Sequence, residues 1–215
     1  FHTDAVQAVQ YLPINLQQTK VDLLSLSAHK FYGPKGVGIL YVRQGTKLAR
    51  QQDGGGQEFG LRAGTENVAG IVGMAAALKK VAADRSDRVG PTVQLRDQLI
   101  KEVLRTVPNS RLTGHPQLRL PHIASFIIEG VEGEALLLML DQAGIAASSG
   151  SACTSGLLEP SHVLTALGIP PEAAHGSLRF SLGKDTTAAD VDYVLEKLPP
   201  IVERLRKMAP SVENL

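Results

Sequence analysis

The stretch Val21-Asp22-Leu23-Leu24-Ser25-Leu26-Ser27 reads as a buried strand, and it runs straight into Ala28-His29-Lys30-Phe31-Tyr32-Gly33-Pro34-Lys35-Gly36. A second strand, β-branched and aromatic, follows at Val37-Gly38-Ile39-Leu40-Tyr41-Val42, with Gly38 allowing a close backbone approach. A lysine at the mouth of a buried strand is poorly suited to structure alone. Its ammonium costs desolvation energy there unless it is paired or neutral. One chemistry wants such a lysine, which is Schiff-base formation with an aldehyde group.

The rest of the chain alternates between strand and helix. Phe1 to Thr3 reads as the end of a strand closing at Asp4, followed by a helical turn over Ala5 to Val9. In open α/β sheets ligands bind outside the carboxyl ends of strands, so Asp4 and Lys30 could face one crevice. Gln7, three residues after Asp4, could lie on the same side of the turn, and Ser27 and His29 bracket the lysine. An Asp after a strand also serves as a turn or helix cap, and a lone His is often structural. The segment 51–64, with Gly54-Gly55-Gly56, reads as a loop.

Val68, Ile71, Val72, Ala75, Ala76 and Val81 fall at helical spacing, so the sequence predicts a helix from about Asn67 to Ala83. The polar run 84–91, closing on Gly90-Pro91, predicts a domain boundary, with one domain over 1–84 and another over 85–215. A second helix carries Leu95, Leu99, Ile100, Val103 and Leu104 on one face and stops at Pro108. Beyond it the patterns predict a strand at Ile123–Ile128, a helix at Glu134–Gln142 closed by Gly144, and a short strand at Ile145–Ala147. They also predict a helix at Pro160–Leu167, a strand at Leu178–Leu182, and a last helix capped by Thr187 and Asp190. Pro199-Pro200 should break or kink that helix.

The single cysteine, Cys153, sits in Ser148-Ser149-Gly150-Ser151-Ala152-Cys153-Thr154-Ser155-Gly156. Such a loop packs little, and no flanking apolar residue favours burial of the thiol. A nucleophilic role would need its pKa lowered from roughly 8.5 by the fold, a cofactor or a substrate. Arg179 stands inside the apolar strand Leu178–Leu182 and needs a counter-charge. That partner could be a structural carboxylate or the α-carboxylate of an amino acid, which a guanidinium grips bidentately.

Composition excludes other classes. One cysteine rules out a disulfide within the chain and points to a reducing compartment. A net charge of +1 gives no reason to expect a nucleic-acid partner, and the longest apolar run, Ala135–Leu140, is too short to span a bilayer. The six histidines are scattered without metal-ligand spacing.

Asp4-Ala5-Val6-Gln7, Ser27-Ala28-His29-Lys30 and the Cys153 loop together resemble the group I, NifS/IscS-type cysteine desulfurases of the class V aminotransferase family. The Arg-x-Gly-His-His-Cys pattern of the other subgroup is absent. The resemblance implies fold type I among pyridoxal-phosphate enzymes, the aspartate aminotransferase-like α/β fold. Residues 1–84 would be the C-terminal part of the large cofactor domain, and 85–215 a small α+β domain. The chain would then be the C-terminal portion of such an enzyme, not expected to hold cofactor or turn over when expressed alone.

The resemblance also implies roles. Lys30 would be the Schiff-base lysine, Asp4 the carboxylate against the pyridine nitrogen, and Gln7 the contact to the phenolate oxygen. Ser27 would contact the phosphate and His29 would handle protons beside the substrate. Thr65, in Arg62-Ala63-Gly64-Thr65, would reach the phosphate of the other subunit, which implies a homodimer. Arg179 would hold the carboxylate of L-cysteine, and Cys153 would take its sulfur as a persulfide. An iron–sulfur scaffold or another acceptor protein would receive that sulfur, in the cytoplasm. The alternatives are another class V enzyme, such as a selenocysteine lyase or an aminotransferase, or a non-catalytic fragment.

Overall fold

The computed structural model describes residues 1–149 and 161–208. It divides into two compact units, Phe1–Asp87 and Arg88–Leu215.

The first unit holds a three-stranded sheet in the order β1 (His2–Asp4), β2 (Leu23–Ser27), β3 (Gly38–Val42). β1 and β2 are parallel, with Asp4 opposite Ser25, and β2 and β3 are antiparallel, with Ser27 opposite Gly38. Paired residues share a face, so His2, Asp4, Ser25 and Ser27 lie on one side of the sheet. Leu24, on the other side, packs with Ala5 and Val21. The segment after Asp4 forms hydrogen-bonded turns, with Ala8 and Val9 N–H both donating to the Ala5 carbonyl, in place of a regular helix. The loop 51–64 contains one 3₁₀ turn, Glu58–Gly60.

Helix α1 runs from Val68 to Thr106 without interruption, 39 residues with Pro91 inside. The sequence reading of two helices separated by a break at 84–91 is therefore corrected. The inward stripe crosses the polar run at helical spacing through Val81, Arg85, Arg88, Thr92, Arg96 and Leu99, all buried or half-buried. Arg85 donates to the Val9 carbonyl at 3.1 Å, and the buried Arg96 donates to Asp97 Oδ1 at 2.8 Å and to the Leu120 carbonyl at 3.3 Å. Near Pro91, which lacks an N–H, the Thr92 hydroxyl donates to the Arg88 carbonyl at 2.8 Å.

The second unit is an antiparallel sheet, β4 (Ser110–Leu112), β5 (Ile123–Ile128), β6 (Ser177–Ser181), under helices α2 (Gly133–Gln142) and α5 (Ala188–Met208). Two short helices, α3 (His162–Ala166) and α4 (Pro171–Ala174), complete it. Phe126, Ile128, Leu136, Leu140, Leu178, Leu198 and Val202 form the core. β4 and α4 carry no sequence signal of their own and form on the neighbouring β5. In place of a strand at Ile145–Ala147 there is one isolated bridge, Ser148 to Arg179.

α5 does not break at Pro199-Pro200. Each mid-helix proline costs about 3 kcal/mol, but Leu198, Ile201 and Val202 around the pair are buried. Beyond it Arg206 donates to the carbonyls of Glu129 (2.9 Å) and Pro108 (2.7 Å). Packing on both sides of the prolines holds the axis. The N-terminus of α5 is capped as its sequence indicates: Thr187 N–H donates to Asp190 Oδ2 at 2.8 Å and Asp190 N–H to Thr187 Oγ1 at 3.3 Å. The Thr187 N–H and, at 2.8 Å, its hydroxyl both donate to that carboxylate and hold it below the ordinary carboxylate range.

Candidate active site

Lys30 lies in a single 3₁₀ turn, Ala28–Phe31, that begins where β2 ends. The turn is held by its small and aromatic residues. Ala28 and Phe31 are fully buried, Ala28 N–H donates to the Val37 carbonyl at 3.0 Å, and Gly33 N–H to the Ala28 carbonyl at 2.9 Å. A Cβ on Gly33 would stand 3.0 Å from both Cβ and O of Ala28 and 3.2 Å from Cβ of Ala77. Glycine is what lets the turn close against α1. His29 and Lys30 are left exposed, and no acidic side chain pairs with Lys30 among the described residues.

Asp4 ends the parallel neighbour of the lysine strand. Its Oδ1 accepts the Val6 N–H at 2.8 Å, a turn-capping contact that also aims the carboxylate. Gln7 is exposed in the turn that follows. Ser27 Oγ lies 3.0 Å from His29 Nδ1, and His2 Nε2 lies 2.8 Å from Ser25 Oγ on the same sheet face. The strand ends therefore bring together Asp4, Ser27, His29 and Lys30: one carboxylate, one hydroxyl, one imidazole and one amine.

Thr65 is exposed just ahead of α1, where Gly64 has φ 108° and donates its N–H to Gln57 Oε1 at 3.1 Å. Cys153 lies outside the described residues.

Arg179 is half-buried at the centre of β6 in the second unit. Its backbone is gripped twice over. It pairs with Ser125 of β5, and on its other side Arg179 N–H donates to the Ser148 carbonyl (2.7 Å) and Ser148 N–H to the Arg179 carbonyl (3.0 Å). Its charge reaches His122, which is buried ahead of β5. Burial first, and then the Arg179 guanidinium, push that imidazole down to about 4, so it is neutral near pH 7.

Sequence reasoning missed His122 and Gln10. Gln10 is buried, and its Nε2 donates to the Lys30 carbonyl. A signal existed, because Gln10 stands between Val9 and Tyr11, both apolar and both buried. His122 offered none beyond its place directly before an apolar strand.

The aminotransferase class-V family matches residues 1–194. A cysteine desulfurase of Klebsiella pneumoniae is 53% identical over 216 residues, covering 100% of this chain and 54% of the relative. The cysteine desulfurase NifS of Azotobacter vinelandii is 50% identical over 210 residues, covering 98% and 52%. A solved NifS-like protein superposes with a TM-score of 0.84 at 37% identity, over 95% of this chain and 52% of that one. A NifS-like protein from Rickettsia africae gives 0.85 at 30% identity, over 94% and 53%. The chain spans about half the length of the curated relatives it matches. By its sequence and its α/β fold alike, this chain belongs to the class-V aminotransferase family.

Proposed function

We propose that this chain is part of a cysteine desulfurase that uses pyridoxal phosphate to convert L-cysteine to L-alanine. The observation that carries the reading is the placement of Asp4 and Lys30 at the carboxyl ends of adjacent parallel strands. In such sheets that edge is the ligand edge. The donor set fits the group: an exposed amine with no acidic partner among the described residues, a carboxylate aimed by Val6, and a hydroxyl and an imidazole beside the amine. When bound, the cofactor supplies a sink for charge developing on the substrate α-carbon.

The residues then divide the work. Lys30 holds the cofactor covalently and moves the proton at the substrate α-carbon. Asp4 keeps the pyridine nitrogen protonated, Gln7 contacts the phenolate oxygen, and Ser27 contacts the phosphate. Thr65 reaches the phosphate from a second copy of the chain. Arg179 grips the substrate carboxylate. The Cys153 thiolate attacks the sulfur of L-cysteine, and an S–S bond forms as the carbon–sulfur bond breaks. The electron pair stays with the carbon, which takes up a proton to give alanine, with His29 carrying protons on that side. The persulfide on Cys153 passes its outer sulfur to an iron–sulfur scaffold or another acceptor protein.

In this reading residues 1–84 belong to the cofactor domain and 85–215 to the small domain of a homodimer. No described helix is long and apolar enough to cross a membrane. A thiol that works as a nucleophile calls for a reducing compartment, and we place the enzyme in the cytoplasm.

The test is borohydride reduction of the intact protein with its cofactor, followed by peptide mapping, alongside a Cys153→Ala variant. Label on Lys30, with no protein-bound persulfide in the variant, is the expected result. Label on another lysine ends the assignment of Lys30. Sulfide release by Cys153→Ala at the parent rate ends that of Cys153 and favours a lyase that needs no thiol.

A further inference from the structure

Gln10 is 6% exposed, and its carboxamide is used on one side only. Nε2 donates to the backbone carbonyl of Lys30, while the buried Oε1 has no partner among the described residues. A buried amide left half-satisfied is costly, and an apolar residue of the same length would spare that cost. The single bond it makes therefore needs a reason.

The reason lies in the lysine turn. A carbonyl in a continuing helix would be met by the N–H three or four residues on. Here the Gly33 N–H is taken by the Ala28 carbonyl, and residue 34 is proline, which has no N–H. Gln10 supplies the donor that this turn lacks. It reaches across from the segment that follows Asp4, so one bond ties the carboxylate-bearing segment to the peptide that carries the amine. The contact is flanked by a packed cluster in which Val9, next to Gln10, meets Ala28 and Phe31. Arg85 fixes the Val9 carbonyl from α1.

We propose that Gln10 is a positioning residue for Lys30. Its carboxamide sets the peptide plane between Lys30 and Phe31, and so the direction in which the lysine side chain leaves the turn relative to Asp4. The proposal rests on the reading of Lys30 as the residue that binds pyridoxal phosphate.

The test uses the intact protein and Gln10→Met, which keeps length and packing but cannot donate. Gln10→Leu serves as a second variant if the thioether lowers the melting temperature. Three readouts separate the outcomes: melting temperature, amide exchange at Phe31 to Gly33 in cofactor-free protein, and the fraction of pyridoxal phosphate that borohydride traps on Lys30 at sub-saturating cofactor. The expected result is an unchanged melting temperature, exchange faster by about 5- to 10-fold, the scale of one lost hydrogen bond, and a trapped fraction reduced by a similar factor. Faster exchange with an unchanged trapped fraction makes Gln10 a purely structural clamp and overturns the proposal. No change in either readout overturns it as well. A parent protein that traps cofactor on a lysine other than Lys30 overturns the reading of Lys30, and this proposal with it. That result is visible before any variant is made.

Discussion

The hydroxyl of Ser27, the last residue of β2, lies 3.0 Å from Nδ1 of His29 in the turn that begins there. A hydrogen bond at Nδ1 fixes the ring and leaves Nε2 free of that contact, as the proposed proton-handling role of His29 requires. Ser27→Ala should loosen the ring and lower kcat by about 10-fold or less, while His29→Gln should lower it by about 100-fold. Steady-state kcat measured for the two variants checks this. A kcat for His29→Gln equal to the parent's would remove His29 from proton handling.

Gly33 closes the lysine turn because there is no room for a side chain. An added Cβ would meet Ala28 Cβ and O at 3.0 Å, and Ala28 is fully buried. Gly33→Ala should destabilise the first unit by about 1–3 kcal/mol, the usual cost of overpacking. It should also reduce cofactor loading, because the strain falls on the peptide next to Lys30. Denaturant unfolding and cofactor titration of the same sample measure both effects.

Arg179→Ala should raise the KM for L-cysteine by roughly 10- to 150-fold, as expected for loss of a charged hydrogen bond of about 1.5–3 kcal/mol. Cofactor affinity should change far less. The strand should survive, because Arg179 is held by backbone bonds to Ser148 on one side and β5 on the other. An unchanged KM with a lower unfolding midpoint would instead make Arg179 a structural cation.

His122 makes stability depend on pH. Its imidazole is held near 4 by burial and by Arg179, against 6.5 in the unfolded chain. The unfolded chain therefore binds the extra proton between those values. The stabilising contribution is complete above pH 6.5 and is lost as the pH falls towards 4. At about 1.4 kcal/mol per unit the full loss is about 3 kcal/mol. His122→Asn should flatten the parent's decline over that window, measured as unfolding free energy from pH 7 to pH 4. Parallel curves for the two proteins would show that His122 is not the titrating group.

Much of this molecule is legible in its sequence, because the signals are local. The apolar run closing on Ser27, the small and aromatic residues around Lys30, the Thr187–Asp190 cap and the strand Ile123–Ile128 are each decided by residues close along the chain. Backbone preference and side-chain hydrogen bonding act over a few positions and leave a readable pattern. What tertiary structure alone decided is whether a local stop signal is obeyed. α1 continues through Gly90-Pro91, and α5 through Pro199-Pro200, where Leu198, Ile201 and Val202 around the second pair are buried and their packing outweighs the missing bonds. The same holds for Gln10 and Lys30, 20 residues apart in the chain and joined by one bond. No pattern in either segment announces the other, since the missing donor at the Lys30 carbonyl and the buried amide that supplies it meet only when β1 and β2 pair.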